Sequence, residues 1–194
     1  AGCGTGQHPI EVAQQDSAAN ILAIDLSRAS LAYAKRKAQE LGLANVEFAQ
    51  ADIMELGALD RRFDVVESVG VLHHLADPNA GWQILLDLLR PGGFMRLGLY
   101  SETARRDIVR ARAFIAEQGY PATSAGMRNC RKHLASLEEG RVGSALLRFR
   151  DFYSLSECRD LLFHVQEHHT TLAAIGSFIE ANRLLFLGFD IARQ

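Results

Sequence analysis

Residues 1–26, AGCGTGQHPIEVAQQDSAANILAIDL, carry three glycines at alternate positions, then a helix-forming run, then an apolar run closed by an acid. Gly2, Gly4 and Gly6 make a turn whose missing side chains let the backbone approach a ligand closely. The turn opens a helix, where free N–H groups and the dipole favour an anionic group. Pro9 falls in the first turn of that helix, over residues 8–15, where its missing N–H costs nothing. Residues 20–26 read as a buried strand. Asp25 at its end stands about twenty residues beyond the loop, the place from which an acid accepts hydrogen bonds from ribose hydroxyls in a doubly wound sheet. No strand precedes the loop and no Met starts the sequence, so a chain cut inside its own ligand loop is the expectation.

Outward from this stretch, apolar runs alternate with helical patterns, the signature of βαβ units and a parallel sheet. Ser27 predicts an N-cap for a helix reaching about Leu41, with Leu31, Ala34, Ala38 and Leu41 on one face and Gly42 as its stop. Residues 46–49 and 63–68 read as strands. Asp77-Pro78 predicts the cap and first turn of a helix carrying Trp82, Leu85, Leu86 and Leu89, and Pro91-Gly92-Gly93 ends it before a strand over residues 94–100. Helical patterns then cover residues 104–118 and 128–139. Ser154 with Glu157 forms a capping box for a helix to about Phe163, residues 172–181 show Leu172, Ile175, Phe178 and Ile179 at helical spacing, and residues 184–191 read as a final strand.

Charge and cysteine usage exclude several classes. The 194 residues carry 21 Lys plus Arg against 23 Asp plus Glu, which gives no global case for nucleic acid or an anionic membrane. Cys3, Cys130 and Cys158 are widely spaced without a C-x-x-C pair, so no disulfide framework or zinc ribbon is expected, and a reducing cytoplasm fits. No apolar run approaches a membrane helix, and the chain reads as soluble. Residues 103–150 differ in character, with ten Lys plus Arg against four Asp plus Glu. They are expected to form a helical insert, either a lid over an acceptor or exposed helices with solvated arginines.

A nicotinamide site wants its third glycine at position 7, which is Gln7. The next acid, Asp52, follows a short strand at the sheet's carboxyl edge and is placed to meet an adenine amino group, or to be an ordinary loop Asp. His73 and His74 follow the strand at 63–68, either as a general base or as histidines satisfied by backbone carbonyls. His164-Val-Gln-Glu167-His168 has the H-x-x-E-H spacing of some zinc helices, but a polar helix face is the commoner meaning and no metal is expected.

The order Gly2 to Gly6, Asp25, Ala51-Asp52-Ile53, the run Asp64-Val-Val-Glu-Ser-Val-Gly-Val-Leu-His-His-Leu75, and Leu89-Arg-Pro-Gly-Gly93 resembles the class I S-adenosylmethionine-dependent methyltransferases. Residues 151–168 are similar to a segment of bacterial methyltransferases often joined to tetratricopeptide repeats, which would lie upstream. The resemblance implies an α/β, Rossmann-like, doubly wound sheet, mostly parallel with a terminal antiparallel strand. Its first, mid-sheet strand would be missing, and a helical insert would precede the last strands. It implies one domain over residues 1–194, with a cofactor core at 1–102, the insert at 103–150 and C-terminal helices with the last strand at 151–194. S-adenosylmethionine is the implied cofactor: Gly2, Cys3, Gly4 and Gly6 would bound its methionine and ribose portion, Asp25 and Leu26 the ribose, and Asp52 with Ile53 the adenine. Ser68 and His73 would line the methionine end.

The acceptor would be a small molecule or a protein side chain. Glu67-Ser-Val-Gly70 stands where enzymes of amide or adenine nitrogens carry Asn/Asp-Pro-Pro-Tyr. A second reading keeps the fold without catalysis, as a docking or cofactor-sensing module of a larger protein.

Overall fold

A computed structural model describes residues 1–137 and 145–190. Contacts gather the chain into two compact units, Ala1–Leu99 and Tyr100–Gln194.

In the first unit the order is α1 (Gln7–Gln15), β1 (Ile21–Asp25), α2 (Arg28–Glu40), β2 (Val46–Gln50), β3 (Phe63–Val69), α3 (Pro78–Asp87) and β4 (Leu89–Gly98), with short 3₁₀ turns at Ile53–Ala58 and Leu72–His74. The caps act as their residue types dictate. Ser27 accepts from Ser30 N–H, and Asp77 accepts from Asn79 and Ala80 N–H with Pro78 in the first turn. β1 pairs with β2 and β3 with β4, both parallel, α2 and α3 linking the strands of each pair. Pro91-Gly92-Gly93, expected to separate helix from strand, lies within β4, where the register shifts opposite Phe63 and Val65. Apolar side chains fill both faces of the α/β contacts: Ile10, Ala23, Ile24, Leu31, Ala34 and Ala38 in one cluster of elements, Val66, Leu72, Trp82, Leu85 and Leu88 in the other.

The two pairs do not join into one sheet. Between them lies a cleft of about 1130 Å³, walled by β1 residues Ile21–Ala23 on one side and β3 residues including Phe63, Val65 and Val69 on the other. Val65 and Val69 are more than half exposed on β3, and in each pair both outer strand edges lack a ladder partner among the described residues. Asn45 stitches the far end: its Nδ2 donates to the carbonyls of Ala13, Asp16 and Ala19, fixing the return from α1 into β1.

The second unit holds α4 (Arg106–Glu117), α5 (Ser124–Ser136), α6 (Leu155–Phe163) and α7 (Leu172–Ala181). Residues 138 and 139, part of the expected helix 128–139, lie outside the described residues. Ile108, Ala111, Ile115, Cys130, Leu134, Leu146, Phe152, Cys158, Leu161 and Leu162 form its core. Burial pushes the Cys130 thiol up to about 12, with Cys158 beside it adding to the shift, so Cys130 is an unreactive core residue.

The terminal antiparallel strand is corrected by the structure. Residues 184–190 form no strand, Ile191 lies outside the described residues, and the apolar face of α7 buries nothing. An apolar run becomes a strand only where another edge receives its N–H and C=O groups, and none is beside this one among the described residues. The chain instead leaves α7 by a Schellman closure, with Arg183 left-handed and Leu184 N–H donating to Ile179.

The insert's arginines are also not all solvated. Arg105 grips Glu167 with two parallel hydrogen bonds of 3.0 and 2.7 Å and stacks 3.7 Å over Tyr100. Arg112 bonds the same carboxylate at 2.9 Å, and His169 at 2.7 Å. The Glu167 side chain is 2% exposed. Burial alone would raise its pKa, but the hydrogen bonds from Arg105 and His169 and the two guanidinium charges hold the carboxyl below the usual range. A depressed carboxylate contributes stability that is complete above its unfolded pKa, about 4.3, and is lost as pH falls through the folded value. Acid melting is therefore expected to show the second unit losing stability below about pH 4. Glu167→Gln is expected to cost about 3 kcal/mol at neutral pH and to flatten that acid limb, which urea unfolding across pH measures.

Candidate functional site

The glycine loop is built on the carboxyl end of β1. Gly2 and Cys3 donate N–H to Ile24 O at 2.8 and 2.9 Å, and Gly4 donates to Asp25 Oδ2 at 2.7 Å. The other oxygen of Asp25 accepts from Ser27 N–H at 2.8 Å, and the Ser27 side chain in turn caps α2. One carboxylate thus ties the loop, the end of β1 and the start of α2 together. On the opposite side the Ala1 ammonium donates to Glu67 O of β3 at 2.5 Å.

All three loop glycines have positive φ, and they differ in surroundings. A Cβ at Gly2 would lie 2.1 Å from Val71 Cγ2, and one at Gly6 would lie 2.5 Å from Ala34 Cβ, so these two permit close packing of the chain on itself. A Cβ at Gly4 would meet nothing within 4 Å. The middle of the loop is an open backbone cradle at the N-terminus of α1, the form a nucleoside-bearing ligand requires.

Around this cradle Leu26 is 63% exposed beside Asp25, an apolar side chain held outward at a strand end. Asp52 Oδ1 accepts from Met54 N–H and starts the 3₁₀ turn that buries Ile53. One oxygen of Asp52 thus works as a cap. Cys3 Sγ makes only a long contact to Gly4 O, and burial and then Asp25 push its thiol up, so it stays protonated and serves as loop packing.

Ser68 is buried near the end of β3, and its Oγ finds no hydrogen-bond partner among the described residues. His73 is 1% exposed within the 3₁₀ turn after β3, its ring set edge-on to His74 at 4.2 Å. His74 is partly exposed. A general base must reach its proton, so burial removes His73 from that role in this conformation and leaves His74 as the reachable candidate.

The H-x-x-E-H spacing does not produce two histidines on one helix face. His164 is the C-cap of α6, and residues 164–169 form a loop in which Glu167 is consumed by Arg105, Arg112 and His169. Glu67, read in the sequence only as part of Glu67-Ser-Val-Gly70, accepts from Ala1 through its backbone carbonyl and meets His8 through its carboxylate. Its only signal was a charge within the otherwise apolar end of the strand run Val65-Val-Glu-Ser-Val69.

A parallel α/β scaffold with a glycine cradle at the carboxyl end of its first strand, latched by an acid, defines a nucleoside-cofactor-binding domain of Rossmann-like type. Residues 1–139 match the family of methyltransferase domains, and the chain belongs to that family. It is 35% identical over 98% of its length to a protein of Synechococcus sp., covering 47% of that protein. It is 39% identical to a trans-aconitate 2-methyltransferase of Deinococcus radiodurans over 48% of this chain and 34% of that one. The chain spans about half or less of the length of the curated relatives it matches. Among solved structures, PKMT2 from Rickettsia typhi in complex with AdoHcy shares the fold, with a TM-score of 0.72 at 18% identity over 92% of this chain and 36% of that one. The chain is a methyltransferase domain with the Rossmann-like fold.

The glycines can be told apart by substitution. Gly6→Ala forces a methyl against Ala34 in a left-handed backbone and is expected to destabilise by about 2–3 kcal/mol. Gly4→Ala meets open space and is expected to cost only about 1 kcal/mol, from its backbone conformation. Urea unfolding of the two variants checks this, and equal losses would remove Gly4 from the open side of the loop.

Proposed function

We propose that the protein transfers a methyl group from S-adenosylmethionine to a small-molecule or protein side-chain acceptor. The observation that carries this reading is the open backbone at Gly4, held by the Asp25 carboxylate at the helix N-terminus. Gly2, Cys3, Gly4 and Gly6 would hold the methionine and ribose portion. Asp25, whose four lone-pair sites exceed the two N–H groups it accepts, would take the ribose hydroxyls, with Leu26 packed against the sugar. Asp52 and Ile53 would bound the adenine, and Ser68 and His73 the methionine end. Ser68 Oγ, buried without a partner, would gain a hydrogen bond there that offsets its desolvation.

When bound, the cofactor supplies an activated methyl on a sulfonium leaving group, so the protein needs no nucleophile of its own. The chain's part is to orient the donor and exclude water from the acceptor's path. Where the acceptor must lose a proton first, His74 would take it. The intact cradle favours this over a non-catalytic docking module, which has no physical need for an open Gly4 and its latch.

The cleft between β1 and β3 supports a second element of the reading, that an extended segment running parallel to both strands completes one sheet. Ala1 N–H already bonds β3, and Gly2 and Cys3 bond β1, as the last rungs of such a strand would. A segment of about five or six residues spans the length of β1.

Calorimetry with S-adenosylmethionine, on this chain and on one carrying an apolar strand ahead of Ala1, tests both. The extended form is expected to bind more tightly and melt higher. Asp25→Ala is expected to weaken binding at least tenfold, about 1.4 kcal/mol. A folded extended form that does not bind would favour the docking module.

A further inference from the structure

The cradle at Gly4 opens onto the first turn of α1, so the place where a ligand meets its N–H groups depends on how that turn is held. α1 packs on β1, β2 and α2, with Gly6 seated so closely that a Cβ there would lie 2.5 Å from Ala34 Cβ. The turn is also tied to the second strand pair. His8, the second residue of α1, hydrogen-bonds Glu67 Oε2 of β3 through its Nε2. Arg96 Nη1 of β4 lies 4.0 Å from Glu67 Oε1, a pull on one oxygen that leaves the other to His8. The carboxylate thus serves His8 and Arg96 rather than the backbone at Gly4.

Glu67 is the only charge in Val65-Val-Glu-Ser-Val69, and departures from an apolar strand run gather where a site needs them. The β1–β2 and β3–β4 pairs share no ladder among the described residues, so side chains carry much of the coupling between them. Glu67 and His8 do so beside the loop. Arg61 Nη1 and Glu47 Oε2, 3.0 Å apart, do so near the amino ends of β3 and β2. Of these two ties, the first bears on the helix that carries the cradle.

Resting on the cofactor assignment above, we propose that Glu67 is a positioning residue for cofactor binding, which fixes the cradle by holding His8, and with it the first turn of α1, against β3. The N–H groups of a helix start converge on one point only while the turn keeps one orientation. Gly6 against Ala34 sets where the turn sits, and Glu67 on His8 sets how it faces β3. Loosening the second anchor leaves the helix formed but widens the set of orientations that a ligand must order on binding. The cost falls on affinity for any ligand of the cradle, methyl donor and demethylated product alike.

The test reads affinity and stability separately. Dissociation constants for S-adenosylmethionine are measured by calorimetry, and thermal midpoints by circular dichroism, on the wild-type protein, His8→Ala, Glu67→Ala, the double variant, Glu67→Gln and Glu47→Gln. Each alanine variant is expected to weaken binding about threefold, the scale of one partly exposed ion pair, and the double variant no further than either alone. Glu67→Gln keeps an amide oxygen that accepts from His8 and is expected to recover most of that loss. Glu47→Gln breaks the distant tie and is expected to act on the midpoint but not on affinity. Losses that add to about ninefold in the double variant, no recovery with glutamine, or equal weakening by Glu47→Gln overturns the proposal. If Glu67→Ala does not fold, His8→Ala decides, and unchanged binding by it overturns the proposal. Wild-type protein that binds no S-adenosylmethionine defeats the cofactor assignment and this proposal with it, a result distinct from wild-type binding that every variant retains, which defeats this proposal alone.

Discussion

The Asp25 carboxylate is the constraint on which the cofactor half of the chain depends. Its two oxygens take backbone N–H groups from Gly4 and Ser27, elements separated by a helix and a strand in sequence. A charged acceptor on two amides is a strong and directional tie, and it fixes the left-handed loop that glycine permits. Gly6 then seats α1 against Ala34 of α2, so loop shape and helix packing are set together. The same acid that shapes the cradle still has acceptor capacity for a ligand, which couples folding of the loop to recognition.

The second unit is organised around a different kind of centre. Residues 164–170 have almost no regular structure of their own, yet they are held on two sides. Thr170 exchanges backbone bonds with Tyr100 and Glu102, and Glu167 gathers Arg105, Arg112 and His169. Removing any one cation leaves charge in a nearly closed site, whereas the complete set satisfies every oxygen. The apolar core around Ile108, Cys130 and Leu161 supplies the bulk of the stabilisation, and the polar centre fixes where the loop runs.

Local chemistry was legible in the sequence, and distant partnership was not. Ser27, Asp77 and Ser154 announced their helices because a cap acts within three residues. β1 to β3 were bounded within one or two residues by apolar runs and their polar ends. Residues 184–191 carried an equally clear apolar run, but a strand needs an edge to pair with, and no local signal provides one. Arg105 illustrates the same limit. A basic helical segment reads as solvated, and only a glutamate 62 residues away turns this arginine inward. The glycine loop and Asp25 were visible as ligand-binding residues, while their direct bond was not, since it depends on how the turn folds back over the strand end.

Because the loop's first residues touch both β1 and β3, they are the point at which the two strand pairs communicate. A ligand that orders residues 1–6 binds only the folded arrangement, and so stabilises it by mass action, about 2.7 kcal/mol at a hundredfold excess over its dissociation constant. The stabilisation would reach β3 through Ala1 and Glu67 as well as β1 through Ile24 and Asp25. Affinity and sheet integrity are thus one quantity viewed from two sides: a strand filling the cleft would preorganise the cradle and reduce the ordering that binding must otherwise drive.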